Sequence, residues 1–411
     1  MDSVDNPYTP NAGESPEALL GRNDQLEAFS ILLKRMAQGR SAQSMIITGL
    51  RGVGKTVLLN RFRRIAEDDG WKVVFLEASK HDEASFRSAI SAGMHAVLLQ
   101  LSPRKRWSER FKRAAGILSS FSAAVSSTVD TDGGWTVKLD VSPIEGCADT
   151  GDLRLDLTDL FLAIGEAAKE KETGVVLLID ELQFLEKVQL EALIQAIHRT
   201  VQDRLPFTFV GAGLPQIAKL AGEAKSYAER LFIFPEIGFL SDEDARSALV
   251  EPARGEGVKF EDEAVELATR ITHGYPYFIQ ELGYQTWGIG DNNRITVCDV
   301  EAARGPYEAK LDSSFFRVRL DRATHLQTAY MRAMAQLGPE PQKAEDVAAL
   351  LKRRSTEVAT IRSGLIKMGL LYTPTHGYAA FTVPDFDKFM LRAVPELEVP
   401  EVRRRRSKSR R

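Results

Sequence analysis

The stretch GLRGVGKT, Gly49–Thr56, decides the architecture of this chain. It has the spacing G-x-x-x-x-G-K-[ST]: Gly49, Gly54, Lys55 and Thr56 hold the defined positions, and Leu50, Arg51, Gly52 and Val53 fill the loop. Backbone N–H groups can approach an anion closely only where no Cβ stands in the way, which is why glycine recurs here. A loop of this kind ahead of a helix N-terminus cradles the phosphates of a nucleotide. Lys55 is then expected on the β- and γ-phosphates and the Thr56 hydroxyl on Mg²⁺, with Val57 beside them in the first helical turn.

The flanks agree. Met45–Thr48 is a short apolar run, and the segment from Thr56 to Ala66 sets Val57, Leu58, Phe62 and Ile65 near one helical face. Gly70 closes that helix, and WKVVFLEA (Trp71–Ala78) reads as the next strand. Strand, glycine loop, helix and strand in this order predict a parallel sheet in an α/β domain.

A second motif supplies the acids. In VVLLIDE, Val175–Glu181, five apolar residues run into two carboxylates. A buried strand ending so places Asp180 at the C-terminal edge of the sheet, beside the phosphate loop. Asp180 is expected to hold Mg²⁺ through water, and Glu181 to orient and deprotonate an attacking water. The pair predicts hydrolysis of ATP to ADP as well as binding; either acid alone would also suit a helix cap.

Further segments appear in a fixed order: GRNDQLEAF (Gly21–Phe29), GLRGVGKT, LLIDELQ (Leu177–Gln183), VGAGLP (Val210–Pro215), SYAERLF (Ser226–Phe232) and HGYP (His273–Pro276). From about residue 20 to 395 the chain resembles an AAA+ ATPase of the origin-recognition and initiator type, the ORC-like group. The resemblance implies that Arg22 and Asn23 lie on the adenine side of the pocket, where Asn23 or Asp24 would also cap a helix. It implies that Arg230 is an arginine finger reaching a neighbour's γ-phosphate, which needs a homo-oligomer. An intradomain salt bridge is the other use open to Arg230.

Two positions depart from the pattern. The fourth core strand carries Val210 and Gly211 where a polar sensor usually stands, and the next long polar residue is Gln216. In HGYPYF, Tyr277 stands near the place of the usual lid arginine. A Gly-x-Pro there resembles the signal-transducing STAND branch, which implies that Gly274 and Pro276 line the nucleotide pocket. A slow switch acting on a protein partner is therefore the alternative to a DNA-linked ATPase.

The C-terminal part reads as three helices and a hairpin. HLQTAYMRAMAQL, KAEDVAALL and STEVATIRSGLIKMGLL are the helices, the last capped by Ser355; LLYTPTHGYAAFTVP is strand, turn at His376-Gly377, strand. This resembles a winged helix. On its third helix Val358, Ile361, Leu365 and Ile366 are expected inward, and Thr356, Glu357, Thr360, Ser363 and Lys367 outward. Lys352, Arg353, Arg354, Arg362 and Lys367 are then candidates for the phosphates of duplex DNA.

The organisation expected is a flexible N-terminal arm (1–18), a P-loop AAA+ domain (19–238), a helical lid (239–318), a winged-helix domain (319–396) and a disordered basic tail (397–411). Within the ATPase domain, 103–150 reads as an insertion. It is basic from Arg104 to Arg113, and DTDGGWTVKLDV forms a hairpin turning at Asp132-Gly133-Gly134.

Composition sets the outer limits. The chain has 411 residues, too many for one core. No run of about 18 apolar residues predicts a membrane span, and the polar N-terminus does not read as a secretory signal. Cys147 and Cys298 stand far apart, which argues against a disulfide framework or cysteine metal site and suits a reducing cytoplasm. The net charge of -3 hides seven basic residues and one acidic among the last eleven. Such a tail suits a polyanion, or simply solubility.

Overall fold

The structure is a computed structural model that describes residues 1–11, 13, 19–78, 83–102, 107–126 and 141–400. It forms two compact units, Met1–Val297 and Cys298–Arg411.

In the first unit the elements run α1 (Asn23–Ala37), β1 (Ser44–Thr48), α2 (Lys55–Asp68), β2 (Lys72–Glu77), α3 (Glu83–Leu101), α4 (Glu109–Ser126), α5 (Leu153–Glu170), β3 (Val175–Asp180), α6 (Lys187–Gln202), β4 (Phe207–Gly213), α7 (Ile217–Ala224), α8 (Ala228–Leu231) and β5 (Phe232–Ile233). The five strands are parallel in the order β2-β3-β4-β1-β5. So β4 lies between the strand that feeds the glycine loop and the strand that ends in Asp180. Val210 of β4 pairs with Met45 on one side and Leu178 on the other. β1, β3 and β4 are buried along their whole length, as expected of parallel strands covered on both faces.

Alternation divides the core. Val175, Leu177, Ile179, Phe207 and Phe209 join the cluster formed by α3, α4, α5 and α6. The opposite face is covered by α2 and, outside it, α1; Phe29 and Phe62 stack between these two helices at 4.4 Å. On α2 the buried apolar residues are Leu58, Leu59, Phe62 and Ala66, so the inward stripe is centred one position from the predicted one and leaves Val57 and Ile65 only half-buried.

The segment expected as an insertion contributes to this core. Phe111, Leu118 and Phe121 of α4 are fully buried, because the basic residues occupy only the outer side of an amphipathic helix. The hairpin expected at Asp132-Gly133-Gly134 lies outside the described residues. Beneath α4, Arg87 pairs with Asp156 at 2.9 Å, and the two side chains are 4% and 0% exposed.

The unit ends in α9 (Asp242–Gly255), β6 (Lys259–Phe260), α10 (Asp262–Thr272), α11 (Pro276–Ile289) and β7 (Arg294–Ile295). Ser241 caps α9 by accepting from the Asp244 N–H, and Pro276 opens α11 where a missing N–H costs nothing. The short β6–β7 pairing was not expected.

Residues 1–11 of the N-terminal arm are docked on the first unit, where flexibility was expected. Its polar composition conceals one anchor: Tyr8 is 1% exposed, donates its hydroxyl to the Leu249 carbonyl, and packs its ring against Gly283 and edge-on to Trp287. The Met1 ammonium donates to Gly290 O at 2.8 Å, and Trp287 Nε1 to Asp2 O at 2.8 Å.

The second unit takes in most of α12 (Val297–Lys310), a π-helical turn (Leu311–Phe316), α13 (Arg317–Leu320), α14 (His325–Leu337), β8 (Gln342–Lys343), α15 (Ala344–Leu350), α16 (Ser355–Lys367), β9 (Leu371–Tyr372), β10 (Tyr378–Phe381) and α17 (Phe386–Ala393). The division thus falls well before the expected 318/319 boundary. The reason is aromatic: Phe316 packs against Phe386 and Phe389 of α17, at 5.7 and 5.2 Å. The strands form an antiparallel sheet in the order β8-β10-β9, and from α14 the elements run helix, strand, helix, helix, strand, strand. On α16, Val358 and Leu365 are buried and Ile361 and Ile366 half-buried, while Thr356, Glu357, Thr360, Ser363 and Lys367 are exposed. Arg354 rather than Ser355 holds the N-cap position; Glu357 turns back to accept from the Arg354 backbone N–H and guanidinium. Among the described residues, no helix of either unit is long and apolar enough to cross a membrane.

Candidate functional site

The glycine loop leaves β1 and runs into α2. Gly52 and Gly54 have φ of 76° and 94°, the left-handed region that glycine enters freely. A Cβ on Gly49 would stand 2.3 Å from the Ile237 carbonyl. The loop therefore needs glycine at these points for its own geometry, apart from any ligand.

Lys55 is buried at the start of α2 and donates to the carbonyls of Gly49 (3.0 Å) and Leu50 (2.6 Å). Burial pulls its ammonium down to about 8, against the opposing influence of Glu181 and Asp180; Arg51 lowers it further. Such an ammonium is held on neutral carbonyls and is available to a polyanion. Thr56 reaches across β4 to β3, its Oγ1 donating to Asp180 Oδ2 at 2.5 Å. Asp180 is 3% exposed. Its carboxyl is raised above the usual range, chiefly by burial; the Thr56 hydroxyl opposes this and Glu181 adds to it.

Glu181 follows with φ 54° and ψ 40°, ahead of a 3-10 turn over Leu182–Phe184. Its N–H donates to Asp180 Oδ1 at 2.7 Å, and its Oε2 accepts from Gln183 Nε2. The structure thus brings Lys55, Thr56, Asp180 and Glu181 together, as the two motifs predicted. Sequence reasoning passed over Gln183, although its amide sits within LLIDELQ.

The remaining predicted residues take different places. Arg22 is 6% exposed and donates to Gly21 O (2.9 Å), Val53 O (3.1 Å) and Gly238 O (2.6 Å). It ties the entrance of α1 to the loop; burial lowers its pKa and Asp244 raises it. Asn23 is the exposed first residue of α1 and caps nothing, since the N-cap position is Arg22. Gly274, at φ 69°, accepts from the Leu240 N–H, and a Cβ there would lie 2.6 Å from Leu240 O. Between Gly274 and Pro276, Tyr275 is completely buried and donates its hydroxyl to Arg51 O. Gly52 leaves the room this needs: a Cβ on it would lie 2.3 Å from the Tyr275 oxygen. Tyr275 is thus the residue of HGYPYF that meets the glycine loop. An aromatic between the Gly and the Pro was the available signal.

Arg230 is exposed on α8, its carbonyl held by Gln43 Nε2 at 2.9 Å. Among the described residues it forms no ion pair within its own unit. Beside it His198 stacks on Tyr227 at 4.3 Å and is held below its ordinary pKa, first by desolvation and then by Arg230 and Arg199.

The oxygen donors fit a magnesium ion. A hydroxyl and a buried carboxylate 2.5 Å apart are hard ligands on one spot, and Mg²⁺ takes one or two protein oxygens and keeps its waters and substrate phosphates. A cation there would also relieve the buried charge of Asp180. Thr56 and Asp180 would hold it.

Residues 18–210 match the family described as AAA ATPase domain, and residues 313–390 match one described as a domain of unknown function (DUF8462). Over residues 18–210 the chain is thus similar to an AAA ATPase domain. Among solved structures, the Walker-type ATPase PABY2304 of Pyrococcus abyssi is similar at 14% identity and a TM-score of 0.53, over 92% of this chain and 97% of that one; it shows a common fold. The Aeropyrum pernix ORC1 protein in complex with DNA gives 15% identity and a TM-score of 0.46, over 92% and 94%. The Thermotoga maritima RuvB Holliday junction branch migration motor gives 17% and 0.45, over 89% and 94%. No curated protein matches the sequence.

Proposed function

We propose that the protein binds ATP with Mg²⁺ and hydrolyses it, as an ORC-like AAA+ ATPase whose nucleotide state controls duplex DNA binding or self-assembly in the cytoplasm. The observation that carries the ATPase reading is the meeting of Thr56 with Asp180 at 2.5 Å, with Lys55 and Glu181 close by. Magnesium, when bound, offsets negative charge on the phosphates. Lys55 exchanges two neutral carbonyls for phosphate oxygens. Glu181 accepts a proton from water as the water oxygen bonds to the γ-phosphorus. The bond from that phosphorus to the bridging oxygen breaks, its electron pair leaves on ADP, and the proton passes to solvent or phosphate.

Support for the DNA part is chemical. Lys352, Arg354 and Lys367 are exposed on or near α16; the outward residues between them are the hydroxyls of Ser355, Thr356, Thr360 and Ser363 together with Ala359 and the acidic Glu357, which holds the Arg354 guanidinium. Arg353 instead donates to Pro400 O at 2.7 Å. The test is phosphate release from ATP and Mg²⁺ with and without duplex DNA. Turnover indifferent to DNA and to protein concentration would remove the DNA and assembly parts while leaving the ATPase.

One observation favours a second reading, a slow STAND-like switch acting on a protein partner: Tyr275 braces the loop from the lid side. That reading expects ADP to survive purification and turnover to be limited by its release. Rapid multiple turnover from nucleotide-free protein would exclude it.

A further inference from the structure

The end of β4 carries no polar side chain where one would face the nucleotide, and the neighbouring strand explains why. A Cβ on Gly211 would lie 2.2 Å from Leu182 Cδ1, and one on Gly213 would lie 3.1 Å from Gln183 Oε1. The two glycines make room for the turn that follows Glu181. Into that room Gln183 sends its amide. Its Oε1 accepts from the Leu214 N–H at 3.1 Å, and its Nε2 donates to Glu181 Oε2.

The orientation of this amide is fixed by chemistry. Leu214 N–H can only donate, so the atom facing it must be the oxygen. The –NH₂ group is then bound to face Glu181. One side chain thus joins the last peptide of β4 to the carboxylate that would activate water. Glu181 itself leaves the strand in the left-handed region, so its backbone alone does not aim its side chain along the strand.

We propose that Gln183 is the positioning residue of the hydrolytic carboxylate: anchored on Leu214, its amide holds one oxygen of Glu181 and leaves the other to meet water. The assignment rests on the hydrolytic reading of Glu181. It gives β4 a means of acting on the carboxylate without a polar side chain of its own, since any shift of Leu214 moves the amide and Glu181 with it. A general base contributes on the order of 10²–10⁴-fold to rate, and an error of about 1 Å in its placement can cost about 10²-fold.

Two roles for Gln183 must be separated: anchoring the turn to β4, and holding Glu181. Gln183→Glu does this. It keeps an oxygen for the Leu214 N–H and replaces the donor with a second acceptor that faces Glu181. The full chain is assayed for steady-state ATP hydrolysis with Mg²⁺, for ATP affinity by equilibrium binding, and for melting temperature. The expected result is kcat lowered about ten-fold or more, with KM and ATP affinity within about two-fold of wild type. Gln183→Met removes both the donor to Glu181 and the acceptor of the Leu214 N–H without adding charge and is expected to lower kcat likewise; a wild-type kcat in it carries the test against the assignment if the first variant does not fold. Wild-type kcat in either folded variant, in a protein whose turnover is lost in Glu181→Gln, overturns this assignment alone. Turnover that survives Glu181→Gln overturns the hydrolytic reading and this assignment together.

Discussion

Tyr275 donates its hydroxyl to the main-chain carbonyl of Arg51, a hydrogen bond that ties the start of α11 to the glycine loop across 224 residues of chain. The ring is buried between Phe239 and Phe278, at 5.5 and 4.5 Å, and Gly52 admits it. Nucleotide that alters the loop must therefore alter the seat of Tyr275.

Tyr275→Phe keeps the ring and removes that bond. A buried neutral hydrogen bond contributes about 0.5–1.5 kcal/mol, so ADP dissociation is expected to accelerate about two- to thirteen-fold if the contact braces the nucleotide-bound loop. Stopped-flow release of a fluorescent ADP analogue measures this; an unchanged rate would mean that the brace has no part in retention. Gly52→Ala should do more damage, since its methyl meets the Tyr275 oxygen and the residue must also hold a positive φ.

Lys55 makes a prediction in pH. Its folded-state pKa, about 8, lies below the ordinary value of 10.5 because burial disfavours the charge. Between those values the unfolded chain holds the proton and the folded chain does not, so this group makes stability rise with pH from about 8 to 10.5. In Lys55→Met that contribution disappears. Urea unfolding of nucleotide-free protein at pH 8 and pH 10.5 is expected to show a smaller gain, or a larger loss, in the variant than in wild type; equal pH dependence would contradict the inferred burial of charge.

Tyr8→Ala tests the docking of the arm. Removing a buried ring typically costs about 3–5 kcal/mol, here with the bond to Leu249 O lost as well. The expected result is a lower denaturation midpoint for the first unit and faster proteolysis ahead of residue 20. An unfolding free energy within about 0.5 kcal/mol of wild type would show that the arm adds little to stability.

The Arg87–Asp156 pair makes a sharper claim on stability. Breaking one partner of a buried ion pair leaves the other uncompensated, at about 3–5 kcal/mol. Asp156→Ala also strips the acceptor of the Thr150 N–H and hydroxyl. Chemical denaturation is expected to show a loss in that range, and a double change to apolar residues at both positions a smaller one.

The sheet, the loop and its acids were legible because each lies in consecutive residues whose chemistry is local: five apolar residues and two carboxylates make a strand end wherever they occur. What escaped depends on contacts far apart in sequence. Tyr275 meets Arg51, Gln183 meets Leu214, and Arg22 meets Gly238, and nothing beside these residues marks their partners. The arm was misread for a related reason, since one buried Tyr8 outweighs a polar neighbourhood. Ser355 lost the cap to Arg354 because Glu357 supplied the acceptor that closes the turn.

The central claim is that Glu181 activates water on ATP held by Lys55, Thr56 and Asp180. Phosphate release at saturating ATP and Mg²⁺, from wild type and Glu181→Gln, tests it most directly when ATP affinity is measured on the same samples. The account predicts magnesium-dependent release by wild type, a loss of about 10²-fold or more in the variant, and ATP affinity retained in both. Equal release from the two proteins would contradict it.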